Sequence, residues 1–105
     1  MAIGANQPAV VNNTLITGQG INSFLNVSAN TLVKSVGGRV AKVNVLTAGS
    51  TVGEIHDSAS IAGASASNLV AVIPNTVGSY LIDFPCLNGI VYKVGTGQVI
   101  SISFI

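Results

Sequence analysis

At the end of the chain Ile100, Ile102 and Phe104 alternate with Ser101 and Ser103. Side chains of an extended strand point alternately to opposite faces, so this period-two pattern is that of a half-buried β-strand. Arg39 to Thr47 repeats it: Ala41, Val43 and Val45 point one way, Lys42 and Asn44 the other. The residue stock agrees. Fifteen Val and eleven Ile stand against seven Leu, and β-branched side chains suit a pleated surface. Apart from eleven Ala, the usual helix formers are scarce: one Glu, three Lys and one Met.

Further strands are expected at Thr31 to Val36, Thr51 to Asp57, Leu69 to Ile73, Tyr80 to Phe84 and Gly89 to Val94, with Gln98 to Phe104 the last. Gly37-Gly38 and Gly95-Thr96-Gly97 carry turn chemistry and predict two hairpins, one joining Thr31–Val36 to Arg39–Thr47 and one joining Gly89–Val94 to the final strand. Pro74 and Pro85 are expected to end strands, because proline gives up a ladder hydrogen bond. Asp57 to Asn68 holds almost only small residues and has no apolar stripe. It reads as an irregular packed loop, with a short helical turn capped by Asp57 and closed by Asn68 as the alternative. Residues 1–20 are rich in Asn, Gln, Thr and Gly and read as an N-terminal extended arm, leaving 21–105 as the β-sandwich domain. Many short strands with frequent Gly, Asn and Pro turns predict an all-β, single-domain antiparallel sandwich, jelly-roll-like or another Greek key.

The chain's 105 residues fit one domain. Charged residues are 7% of the chain, against about 25% in ordinary globular proteins. Four Lys and Arg in total are too few to neutralise a phosphate backbone, so no nucleic-acid partner is expected. One cysteine excludes a disulfide framework. No apolar run approaches the roughly 18 residues that span a bilayer, so no membrane partner is expected. Met1 to Gly20 lacks the basic start and apolar block of a signal peptide.

Chemistry-bearing residues are few. Glu54, His56, Asp57 and Ser58 lie close in sequence, but in a strand Glu54 and His56 share one face while Asp57 points the other way. No nucleophile elbow accompanies them. They read as a polar strand end, with a packing or subunit contact through His56 as the alternative; a weakly held ion is the remote one. Cys86 sits in an apolar segment and reads as a small core hydrophobe, its lone thiol in keeping with an intracellular assembly route. Gly95-Thr96-Gly97 begins like a dinucleotide fingerprint, but Ile100 stands where the third glycine belongs, so it reads as a turn. Lys34, Arg39, Lys42 and Lys93 read as scattered solvating charges. Asn12-Asn13-Thr14 and Asn26-Val27-Ser28 match the glycosylation pattern, which carries meaning only on a secretory route. No catalytic, cofactor-binding or metal-ligating residue is assigned, and no enzyme activity or cofactor is expected.

With so few charges, the exposed faces must be Ser, Thr, Asn, Gly and leftover apolar residues. Such a surface suits a subunit whose faces are covered by partners, most simply a symmetric homo-oligomer that also sits on something else.

The runs Gly38-Arg39-Val40-Ala41-Lys42-Val43-Asn44-Val45, Ile73-Pro74-Asn75-Thr76-Val77-Gly78 and Phe84-Pro85-Cys86-Leu87-Asn88-Gly89-Ile90-Val91, continuing through Gly95-Thr96-Gly97-Gln98-Val99, resemble those of small virion proteins of tailed double-stranded-DNA bacteriophages. More narrowly they resemble capsid cement (decoration) proteins, over about Val36 to Phe104. The resemblance is one of strand-and-turn texture and carries no functional residue across. It implies a structural β-sandwich that dimerises or trimerises at symmetry axes, binds the outer surface of the shell and bridges neighbouring major capsid proteins. It would be made in the host cytoplasm. Two other readings share the composition: a low-copy tail or fibre component of the virion, and a small jelly-roll carbohydrate-binding module. The last would need exposed aromatics, and the chain has no Trp and only Tyr80 and Tyr92 besides its three Phe.

Overall fold

The computed structural model describes residues 20–105; the expected arm, apart from Gly20, lies outside the described residues. Eight strands follow one another: β1 (Asn22–Val27), β2 (Thr31–Lys34), β3 (Gly38–Thr47), β4 (Gly53–His56), β5 (Leu69–Ile73), β6 (Gly78–Cys86), β7 (Ile90–Lys93) and β8 (Val99–Phe104). They form two four-stranded sheets, β1-β8-β3-β6 (sheet I) and β2-β7-β4-β5 (sheet II), with every pairing antiparallel. The expected all-β sandwich is the fold. Its winding is simple: β1 to β4 run as one half of a long ribbon and β8 to β5 as the other, paired β1·β8, β2·β7, β3·β6 and β4·β5. Rolling that ribbon up gives the jelly-roll order.

The rolling corrects both hairpin expectations. β2 and β3 lie in different sheets, as do β7 and β8. Gly37-Gly38 and Gly95-Thr96-Gly97 therefore sit at corners where the ribbon crosses between sheets. A tight Gly turn serves a corner as well as a hairpin, since both need only a sharp reversal of backbone direction. Segment 57–68 closes the ribbon between β4 and β5. It is irregular, as the loop reading expects, apart from a single 3₁₀ turn, Ala66–Asn68, which starts from Ser65 and not from Asp57. Pro85 does not end its strand either: β6 runs through to Cys86. Arg39 exchanges both backbone hydrogen bonds with Ile105, N to O at 3.2 and 2.9 Å, so it needs none from Pro85, its partner on β6. On an edge strand, a missing donor costs nothing there.

The core lies between the sheets. Val40, Val43 and Val45 of β3 and Ile100 and Ile102 of β8 face Ile55, Ile90 and Tyr92 of sheet II, and all are buried. Each such aliphatic side chain contributes roughly 1.5–3 kcal/mol. One polar group is embedded with them. Gln98, 1% exposed, accepts the Tyr92 hydroxyl at 2.8 Å and the Gly95 N–H at 3.1 Å on Oε1, and donates from Nε2 to the Pro74 carbonyl at 3.2 Å. It thus joins β7, the 94–98 corner and the 74–77 corner. Gly53 is required here, because a Cβ at that position would run into the Tyr92 hydroxyl.

All four edge strands are bulged. Phe24–Val27 of β1 face only Ile100–Ile102; Leu32–Lys34 of β2 face Ile90 and Val91; Leu69–Ala71 of β5 face Ile55 and His56; Leu81–Phe84 of β6 face Val40–Lys42. In each case the extra residue is on the edge strand. Asn26 (φ 53°) and Asp83 (φ 51°) hold left-handed backbone inside two of the bulges, a conformation Asn and Asp tolerate better than other non-glycine residues. Bulges twist an edge away from strand addition, which answers the shortage of edge charges.

Gln98→Ala strands the Tyr92 hydroxyl, the Gly95 N–H and the Pro74 carbonyl, and is expected to cost about 3 kcal/mol in urea denaturation. Tyr92→Phe removes one donor while Gly95 still occupies Oε1, and is expected to cost about 1 kcal/mol. Equal losses for the two would contradict this assignment of the hub.

Candidate functional site

The rolled ribbon brings the polar cluster read from the sequence to one end of sheet II. Glu54 and His56 share the outer face of β4, as their spacing requires, opposite the core residue Ile55. His56 is 3% exposed. Its Nε2 lies 2.9 Å from Glu54 Oε1 and its Nδ1 3.0 Å from Asn68 Oδ1. Segment 57–68 folds back over this face: Asp57 N–H donates to the Asn68 carbonyl at 2.9 Å, and a Cβ on Gly89 would run into the Ser58 carbonyl. Val91, the partner of His56 on β7, is fully buried on the same outer face.

Within this cluster His56 and Ser58 are not joined as a base and a nucleophile. Both ring nitrogens of His56 are taken by oxygens of Glu54 and Asn68, and the Ser58 hydroxyl is turned to the Ser60 carbonyl at 2.7 Å. Nucleophilic catalysis needs a hydroxyl bonded to the base, and Ser58 is not. Among the described residues no three His, Cys, Asp or Glu side chains gather to hold a metal ion.

Asp57 points away from His56, as its odd position in the strand predicts. Its carboxylate takes three successive backbone N–H groups: Leu87 at 3.1 Å, Asn88 at 2.8 Å and Gly89 at 3.3 Å. Burial raises its pKa, but the three backbone bonds and the Asn88 side chain together outweigh burial and hold the carboxyl below its ordinary value. The turn after β6 is thereby fixed, and Leu87, 80% exposed, stands on it. Cys86, just before, is 1% exposed in the core. Burial, with the Asp57 charge adding to it, pushes its thiol up to about 11, so at neutral pH it is a protonated core side chain and no nucleophile.

The basic residues do not converge. Lys34 donates to the Ile105 carbonyl at 3.0 Å and Arg39 pairs with Asp83. Lys42 lies on the outer face of sheet I, and Lys93 stands opposite Glu54 in sheet II. Gly95-Thr96-Gly97 is a turn, closed by the Gln98 N–H on the Gly95 carbonyl at 3.0 Å. Asn26 lies in the β1 bulge; Asn12 and Asn13 lie outside the described residues. Tyr92 is wholly buried and Tyr80 is half-buried against the core, its hydroxyl on the Thr76 carbonyl at 2.8 Å. Tyr92 offers no ring face to a sugar, and the exposed aromatics, Phe24 and Phe84, sit on opposite edges of sheet I.

Two polar residues of consequence escape sequence reasoning, Gln98 and Asn68. Gln98, one residue before β8, has the parity of Ile100, Ile102 and Phe104, which turns it to the core side. That parity is the available signal. Asn68 has none, because its partners come from a loop without periodicity.

Comparison of the chain with protein-family models, with curated proteins and with solved structures gives no match.

Asp57→Ala is expected to cost about 2 kcal/mol at pH 7 by leaving three N–H groups of one turn without their acceptor. Because the folded pKa is depressed, the wild-type contribution is complete above the ordinary Asp value of about 3.9 and is lost as pH falls through the lower folded value. Urea denaturation at pH 7 and pH 2 should show the gap between wild type and variant closing in acid.

Proposed function

We propose that the chain is a structural virion protein that binds the outer surface of an assembled phage capsid and stabilises it by bridging neighbouring major capsid proteins. The observation that carries this reading is the character of the surface. Thirteen large apolar side chains are exposed on the described residues, against seven charged side chains in the whole chain. Five of those seven are bonded to partners within the chain: Lys34, Arg39, Asp57, Asp83 and Glu54. Single exposed apolar residues are ordinary. A surface on which they outnumber charges, over two sheets whose edge strands are all bulged, favours side-chain contact with another protein over solitary solvation. The jelly-roll winding and the resemblance of residues 36–104 to phage cement proteins point the same way.

The mechanism is linkage. A subunit whose footprint exists only where shell proteins meet binds the assembled state and not the free protein, and so stabilises assembly by mass action. Repeated over a lattice, and joined through a homodimer or homotrimer on a symmetry axis, modest contacts add by avidity. Nearly uncharged contacts also depend little on salt. In this reading residues 1–20 are the arm that reaches onto a neighbouring subunit, and the site of action is the outer capsid surface.

Quantitative mass spectrometry of purified particles from the source tests it. A copy number comparable to the major shell protein is expected. A handful of copies would transfer the chain to the tail or a fibre, and absence from the particle would overturn the virion reading.

A further inference from the structure

We propose that Asn88 is a site of spontaneous covalent modification, deamidation through a cyclic imide, and that the Asp57 carboxylate holds the reaction back in the folded chain. In the first step the Gly89 backbone nitrogen gives up its proton and attacks Asn88 Cγ. A Cγ–N bond forms, the Cγ–Nδ2 bond breaks and ammonia leaves. Water then opens the imide at either carbonyl and leaves aspartate or isoaspartate at position 88. A Cβ on the residue after Asn hinders this ring closure, and glycine has none. The fold forces that glycine. Gly89 is buried, and a Cβ there would run into the backbone carbonyls of Ser58 and Lys34. Close packing of the 57–68 segment and β2 on this turn therefore leaves Asn88 beside the one residue that cannot obstruct the attack. Asn88 itself is exposed, so the water that completes the reaction reaches it.

Asp57 opposes the reaction in two ways. Its Oδ1 accepts the Gly89 N–H at 3.3 Å. The attacking nitrogen must lose that proton, and a carboxylate facing it makes the resulting anion more costly. Asp57 also fixes the backbone around Asn88, whose own N–H lies 2.8 Å from Oδ1 while the Leu87 N–H lies 3.1 Å from Oδ2. The Asn88 side chain bonds to the same carboxylate. Ring closure turns that side chain back onto the Gly89 nitrogen and so breaks these bonds. The product has a structural consequence. Aspartate or isoaspartate at 88 sets a second negative charge beside Asp57, where the two repel, and isoaspartate adds a methylene to the backbone of the turn. Leu87, 80% exposed, stands on that turn, so modification unseats it. The inference is independent of the capsid reading, since it concerns the isolated chain.

The test is the rate at which Asn88 gains one mass unit when the purified protein is held at pH 8 and 37 °C, read by peptide mass spectrometry that separates aspartate from isoaspartate. Folded wild type is expected to react slowly and guanidinium-unfolded wild type quickly. Asp57→Ala, still folded by circular dichroism, is expected to react about tenfold faster than folded wild type. Should that variant fail to fold, Asp57→Asn takes its place; it keeps an acceptor oxygen without the charge and is expected to react faster than wild type as well. Gln98→Ala weakens the opposite pole and leaves Asp57 in place, so it should stay near the wild-type rate. Folded wild type that reacts as fast as the Asp57 variant, or Gln98→Ala that matches that variant, would overturn the proposal.

Discussion

The fold depends on the way one buried carboxamide resolves the corners of the rolled ribbon. Crossing between sheets leaves backbone groups at each corner with no ladder to join, and at one pole four corners meet. Gln98 takes the Gly95 N–H and the Tyr92 hydroxyl on one atom and gives its amide to the Pro74 carbonyl on the other. Other corner groups close on one another around it: Ser50 N–H on the Thr96 carbonyl at 2.8 Å, Asn75 on the Gly49 carbonyl at 3.0 Å, Val94 N–H on Asn30 at 3.0 Å. At the opposite pole Asp57 plays the equivalent part for the turn after β6. Each pole is thus gathered by one polar side chain, and no buried side-chain polar atom among the described residues lacks a partner. That matters in a chain whose modest core leaves little stability to lose to an unpaired group.

The second organising constraint is the shortage of charge. A sandwich has open edges, and natural sheets usually protect them with lysines or inward-pointing charges. Here backbone shape does that work, with a bulge in each of the four edge strands. The few charges are then left for local tasks: fixing a turn, pairing across the β6 bulge, holding the ribbon's closed end. The outer faces remain neutral and partly apolar, which is the property the proposed role uses. An interface of that kind gains little from electrostatic steering and depends on shape and on many repeated contacts.

Most strand positions were legible from local residue pattern: Leu69–Ile73 matches its observed bounds, and the core face of β8 follows from residue parity. The core face of β3 does not, because a two-against-one step opposite Ser103 and Phe104 brings Val40 rather than Ala41 into the core with Val43 and Val45, and β1 carries too little pattern to be expected from the sequence. Connectivity was not legible, because Gly37-Gly38 and Gly95-Thr96-Gly97 have the same local chemistry whether the next strand pairs with the last one or crosses to the other sheet. What decides between them is remote, namely the pairing of β7 with β2 and β4 and of β8 with β1 and β3. The site was legible in part. Glu54 and His56 could be placed on one face and Asp57 on the other, and Cys86 in the core. The partners of His56 and Asp57 lie in loops, Asn68 and residues 87–89, where no period marks them. Tyr92 shows the same limit from the other side: nothing local distinguishes a tyrosine that plugs a corner from one that faces solvent.

The central claim, that this chain binds a shell only once the shell exists, is tested most directly by adding the purified protein to assembled capsids and to unassembled major capsid protein side by side, while following the temperature at which the capsids come apart. The account predicts saturable binding to capsids alone, in fixed proportion to their subunits, with a rise in the disassembly temperature that grows with bound protein. Equal binding to free subunits, or binding that leaves the disassembly temperature where it was, would contradict it.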